Sequence, residues 1–207
     1  MYIRHIKRLL DFAMAALLSI VLLPLHIIIA LAIKLESKGT VFFRQKRIGQ
    51  DKSTFYILKY RTMRSDAPHD VPTHQLHDPD AYITRIGRFL RKTSLDELPQ
   101  LINILKGDMS IIGPRPALWN QDDLILERDK YGANDIRPGL TGWAQINGRD
   151  ELEIPVKAKL DGEYVEKMSF AFDMKCFIGT IIAIFRHEGV VEGGTGTLKQ
   201  KKRHEVK

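Results

Sequence analysis

The chemistry-bearing residues of this chain are few, and the sharpest group is the adjacent pair Asp96 and Glu97 in RKTSLDELPQLINILKGDM. Pro99 fits only the first turn of a helix, where its missing N–H is not needed, so a helix is expected to start close to Asp96. The positive end of that helix favours ionised carboxylates and attracts phosphate groups. An ionised Asp in that place can attack phosphorus or hold a divalent cation bridging a diphosphate. A plainer reading stands beside it: Ser94–Glu97 matches a capping box, in which these side chains serve only backbone N–H groups. The pair alone does not choose between the two.

Cations supply the next constraint. In FYILKYRTM, Lys59 and Arg61 alternate along an expected strand, which puts them on one face about 6.5–7 Å apart. Two such charges invite an anion between them; otherwise they are solvated charges on an edge strand. Arg115 sits between Pro114 and Pro116, whose rings stiffen the backbone, and its guanidinium matches phosphate bidentately. Downstream, IRPGLTGWAQINGRD gathers Arg137, Asn147, Arg149 and Asp150 among turn glycines, a stretch suited to a nucleotide or sugar pocket. It lacks the glycine patterns of Rossmann and P-loop sites. His69, His74 and His77 lie among aspartates, but their spacing matches no zinc pattern and reads as a solvated loop.

The elements that must position these groups follow from pattern. TVFFRQKRIG and STFYILKYRTM read as strands joined by a turn at 49–53. Helices are expected over 82–92, from Asp96 to Leu105 with a stop at Gly107, over 118–131, from Asp161 onward, and over 175–185. The stretch 65–80 reads as a loop, and the tail after Gly193 as a disordered polar segment.

Before all of these comes FAMAALLSIVLLPLHIIIALAI, an apolar run from Phe12 to Ile33, about the length that crosses a bilayer. Pro24 near its middle breaks the helix, and basic residues flank both ends: Arg4, Lys7 and Arg8 before, Lys34, Lys38, Arg44, Lys46 and Arg47 after. The positive-inside rule places both ends in the cytoplasm, which a helix entering and leaving by one face satisfies. A plain span and a buried core helix are the alternatives. The 207-residue chain carries a formal net charge of +7, which calls for an anionic partner. Its single cysteine, Cys176, excludes an internal disulfide and a thiolate metal cluster.

The apolar segment with its central proline, then KYRTM, then RKTSLDELPQLINILKGDMSIIGPRP, then RPGLTGWAQINGRD, resembles the small monotopic bacterial polyprenol-phosphate phosphoglycosyltransferases. These initiate capsule, exopolysaccharide and glycoprotein glycan synthesis. The resemblance implies an α+β, predominantly helical protein. A re-entrant membrane helix (1–38) would precede one small catalytic domain with interfacial helices (39–192) and a polar tail (193–207). It implies transfer of a sugar phosphate from a UDP-sugar to undecaprenyl phosphate with release of UMP, through a covalent phosphosugar on Asp96. Mg²⁺ would be held at Asp96 and Glu97. The expected substrate-binding residues are Lys59, Arg61, Arg88, Pro114, Arg115, Pro116, Arg137, Asn147 and Arg149. The family's helix breaks at a Ser-Pro pair, where this chain has Leu23–Pro24. YITRIGRFLRKTS and GPRPALWNQ look most like members acting on N-acetylated amino sugars, with a hexose left open. The place implied is the cytoplasmic face of the bacterial inner membrane, among its lipids, with homo-oligomerisation left open. A glycosyltransferase releasing UDP, and a membrane-tethered adaptor, are the competing classes. Nucleic acid is not an expected partner, because aromatic and basic residues are not interleaved.

Overall fold

The computed structural model describes residues 2, 6–67, 81–148 and 152–186. His69, His74, His77, Arg149, Asp150 and the expected polar tail therefore lie outside the described residues. Among the described residues the architecture is α+β and mostly helical, with two small two-stranded sheets.

The apolar run forms two helices, α1 (Lys7–Val21) and α2 (Leu23–Glu36), bent by 62°. Pro24 lies in the first turn of α2, and the break falls at Leu22, because proline's lost hydrogen bond and its ring clash act on the preceding turn. Two backbone bonds carry the ladder across the bend, Leu22 N–H to Leu18 O at 2.9 Å and His26 N–H to Leu22 O at 2.9 Å. Among the described residues no single helix is long and apolar enough to cross a membrane, whereas the bent pair together is.

Neither helix stands apart from the rest. One side of α1 exposes Leu9, Phe12, Leu17 and Ile20, while Asp11 and Ala15 on the other side are buried. Ala15 joins a core with Ile57, Leu101, Ile104, Met109, Ile112 and Tyr164. Asp11 accepts hydrogen bonds from Ser110 Oγ (2.7 Å) and Ile111 N–H (3.0 Å). Ile29 and Ile33 of α2 enter a second core with Tyr60 and Leu90.

The expected hairpin is present: β1 (Phe42–Ile48) pairs antiparallel with β2 (Thr54–Tyr60), Phe43 opposite Lys59. Helix α3 (Arg85–Thr93) follows, capped by the Thr84 hydroxyl and by Glu36, whose carboxylate accepts from Arg85 N–H at 2.7 Å. Its Gly87 lies so close to the strand exit that a Cβ there would stand 2.0 Å from Thr62 O. A 3-10 turn (Leu95–Glu97) leads into α4 (Gln100–Lys106), which ends at Gly107 in the left-handed region, the stop expected from sequence. Strand β3 (Ser110–Ile112) then pairs in parallel with β4 (Gly139–Thr141).

The remaining helices are α5 (Asp122–Asp129), α6 (Trp143–Ile146), α7 (Ile154–Lys167) and α8 (Phe170–Arg186). Helix α7 begins seven residues earlier than expected, where Pro155 occupies its first turn. An ion pair between Arg128 and Asp161 joins α5 to α7, with side chains 4% and 1% exposed. The Tyr164 hydroxyl on α7 lies between Asp173 Oδ1 (2.7 Å) and Ile112 O (3.1 Å), which ties α7 to α8 and to the end of β3.

Candidate active site

Asp96 and Glu97 occupy the 3-10 turn between α3 and α4, both about nine-tenths buried. Ser94 takes the left-handed conformation (φ 56°) and makes no side-chain cap bond, so the capping box suggested by Ser94–Glu97 is not built. Leu95 and Leu98, on either side of the pair, pack against the core of Leu90 and Tyr60. The apolar neighbours thus seat the turn and leave the carboxylates to other partners.

Those partners come from two separate elements. Lys59, the penultimate residue of β2, reaches Glu97 Oε1 at 2.8 Å and lies 4.0 Å from Asp96. Arg115 donates to the same Oε1 through Nη2 at 2.8 Å, with Nη1 at 3.5 Å from Oε2. Buried Pro114 and Pro116 fix the Arg115 backbone, and their carbonyls accept from Gly139 N–H and Arg47 Nη1.

Sequence reasoning missed the part that sets this register, Asn103. From α4 its side chain accepts from Leu58 N–H at 2.9 Å and donates to Tyr56 O at 2.8 Å, imitating a strand partner along the free edge of β2. A polar residue inside the apolar stretch LINIL was the available signal. A second addition is Arg91, whose Nε donates to Thr62 Oγ1 at 2.9 Å and whose charge acts on Asp96.

The two carboxylates sit in opposed environments. Burial pushes Glu97 upward, but Arg115 and Lys59 outweigh it and hold Glu97 well below the usual carboxylate range. Burial also raises Asp96; Lys59 pulls it down, Glu97 pushes it up, and the outcome lies above the ordinary aspartate value. Such a split separates roles within a pair of acids. Glu97 is a fixed anion that orients two cations, while Asp96 accepts no hydrogen bond among the described residues.

Other expected residues are placed elsewhere. β2 ends at Tyr60, so the alternation does not extend to Arg61. That side chain turns back and donates to Ser37 O (2.8 Å) and Lys38 O at the end of α2. Arg88 is exposed on α3. Arg137 donates to Gly107 O at 3.0 Å, at the far end of α4 from Asp96. Asn147 closes its own short helix by donating to Trp143 O at 2.7 Å.

The model that describes the bacterial sugar transferases matches residues 2–187. The chain belongs to that family. A sugar transferase of Caulobacter vibrioides, named UDP-glucose:undecaprenyl-phosphate glucose-1-phosphate transferase, is 45% identical over 84% of this chain and 68% of its own length. An Escherichia coli (strain K12) protein of the same name is 41% identical over 88% of this chain, which spans 40% of that larger sugar transferase. An uncharacterized sugar transferase of Bacillus subtilis, EpsL, is 37% identical over 89% of this chain and 90% of its own. The sugar-transferase match thus takes in the bent helix pair as well as the site around Asp96.

Proposed function

We propose that this chain transfers a sugar phosphate from a UDP-sugar to undecaprenyl phosphate. The observation that carries the reading is a buried aspartate that accepts no hydrogen bond among the described residues, beside a glutamate that holds a lysine and an arginine in place. In the first step an Asp96 oxygen attacks the β-phosphorus of the donor. An Asp–phosphorus bond forms, the bond to the bridging oxygen breaks, and UMP departs. In the second step an oxygen of the lipid phosphate attacks the same phosphorus, and the Asp96 carboxylate leaves. Lys59 and Arg115, aligned by Glu97, offset the charge of the diphosphate in both steps.

The residues also fit Mg²⁺, because Asp96 accepts no hydrogen bond among the described residues and Glu97 Oε2 meets Arg115 at 3.5 Å there. Magnesium is commonly held by one or two carboxylates together with substrate phosphates. When bound it would neutralise diphosphate charge.

The names of the relatives support sugar-phosphate transfer, and removing glucose 1-phosphate from UDP-glucose leaves UMP by mass balance. Those names put UDP-glucose ahead of the N-acetylated amino sugar expected from sequence. The test incubates the protein with undecaprenyl phosphate in nanodiscs, with and without Mg²⁺, and with UDP-glucose, UDP-galactose or UDP-N-acetylglucosamine. UMP release dependent on the lipid supports the proposal; release of UDP would mark a glycosyltransferase that passes on the bare sugar.

A re-entrant anchor on the cytoplasmic face of the bacterial membrane completes the reading. It is supported by the way both ends of the bent pair bind one folded body, Arg8 and Asp11 at the start and Ser37 and Lys38 at the end. Cysteines introduced at positions 2 and 38 should be labelled by an impermeant thiol reagent from the same side. Labelling from opposite sides sinks the re-entrant topology.

Lys59 provides a pH test. It lowers the pKa of Asp96, so Lys59→Met lets that pKa climb further. Attack requires the ionised form, and the acid limb of the kcat/KM profile should therefore move to higher pH in the variant. An unmoved limb would show that Asp96 does not govern it.

A further inference from the structure

At the end of α4 remote from Asp96 lies a cleft of about 80 Å³, lined by Lys7, Arg8, Asp11, Ser110, Arg137 and Met168 among others. Helix α4 alone separates it from the catalytic turn by about 10 Å along its axis. The cleft belongs to neither the dyad nor the cations around it.

Its charge is not balanced from within. Lys7 pairs with Asp173 at 2.7 Å, and Asp11 is engaged by Ser110 and Ile111. Arg8 and Arg137 have no carboxylate partner among the described residues. Arg8 donates to Ile104 O (2.6 Å) and Leu105 O (3.0 Å), and Arg137 Nε donates to Gly107 O (3.0 Å). Both guanidiniums approach Gly107, where an added Cβ would stand 3.4 Å from Arg8 Nη2. The helix terminus they share offers about half a negative charge and Asp11 a full one, against two full positive ones, so the cleft keeps a net positive charge. Arg137 is exposed, and its two terminal nitrogens donate no hydrogen bond within the described residues. Two guanidiniums held together with spare N–H groups match a phosphate.

The rim identifies which phosphate. Arg8 lies over the ring of Phe12, 5.9 Å from its centroid, and Phe12 opens onto the exposed apolar side of α1. On the other side Met168 precedes α8, whose Phe170 is 54% exposed. A free inorganic phosphate has no use for an apolar rim. A phospholipid does, since its acyl chains continue along such surfaces while the headgroup meets the cations. We infer that this cleft binds the headgroup phosphate of an anionic membrane phospholipid, at a site separate from the one that binds the polyprenyl acceptor.

The full chain in a neutral detergent tests this by thermal melting. Added dioleoyl phosphatidylglycerol should raise the melting temperature by about 5–10 °C at a hundredfold excess over its dissociation constant. Phosphatidylcholine and inorganic phosphate should leave it unchanged. The shift should disappear in Arg137→Gln, be partly kept in Arg137→Lys, and persist when undecaprenyl phosphate is also present. An equal shift in Arg137→Gln, an equal response to phosphatidylcholine, or loss of the shift to competing undecaprenyl phosphate would each overturn the inference. A response to inorganic phosphate alone would make the cleft a soluble-anion site and overturn the lipid assignment. Should Arg137→Gln fail to fold, native mass spectrometry of the parent released from equimolar phosphatidylglycerol and phosphatidylcholine nanodiscs decides. Preferential retention of phosphatidylglycerol supports the site, and equal retention refutes it.

Discussion

Asp96→Asn is expected to lower turnover by at least about 10³-fold, the scale seen when a nucleophile that works as part of a set is removed, while leaving the fold intact. The two halves of this prediction have separate causes. Asparagine keeps the shape of the side chain and loses the charged oxygen that would bond to phosphorus. The fold is spared because the Asp96 carboxylate accepts no hydrogen bond among the described residues, so the substitution strands no donor. It also removes a buried negative charge that Glu97 disfavours, and the variant should therefore melt no lower than the parent. Measuring UMP release and thermal melting on one preparation checks both halves. Substantial activity in the variant excludes Asp96 as nucleophile, and a large drop in melting temperature assigns it a structural duty instead.

Asp161→Ala carries the largest expected cost in stability. Its carboxylate receives Arg128 Nε at 2.8 Å and Nη2 at 2.6 Å in a dry setting between α5 and α7. Burial raises the pKa of Asp161, and Arg128 opposes that rise. Removing the acid strands a guanidinium that is 4% exposed, at a cost of about 3–5 kcal/mol. For a chain of this size that is a fall of roughly 6–20 °C in melting temperature. Exchanging both partners together, Arg128→Met with Asp161→Leu, should restore most of the loss, because a buried pair repays little beyond its own desolvation. If the single variant melts like the parent, the ion pair is not formed. Activity should fall with stability, since α7 holds β3 through Tyr164, two residues before Pro114.

The residues that met at the site were legible where short-range rules determine them. Lys59 follows from strand alternation and Arg115 from its flanking prolines; Pro99 put the pair at a helix start, but α4 begins only at Gln100 and Asp96 and Glu97 occupy the 3-10 turn before it. Legibility failed where a distant element decides. Arg61 obeys the same alternation on paper, yet β2 stops one residue short and carbonyls from the end of α2 claim the side chain. Arg137 sits in a motif-rich stretch, but the parallel pairing of β3 with β4 carries it to the wrong end of α4 for the dyad. That pairing joins strands of three residues each, too short to display a period of two. Ser94 and Glu97 matched a local cap pattern that the left-handed turn at Ser94 disables. Asn103 looked like an interruption in an apolar helix and instead completes the edge of a strand.

The polar side of α1 bears on how this protein can be handled. A version trimmed to begin after residue 38, made to obtain a water-soluble enzyme, would lose Ala15, Ile29 and Ile33 from two cores. It would also leave the Ser110 hydroxyl and the Ile111 N–H without their acceptor, on the strand that leads to Arg115. Detaching the bent helix pair is therefore surgery on the interior of the protein. Solubility is better sought by recolouring the outward residues Leu9, Leu17, Ile20 and Leu31 with polar side chains while every inward contact stays in place.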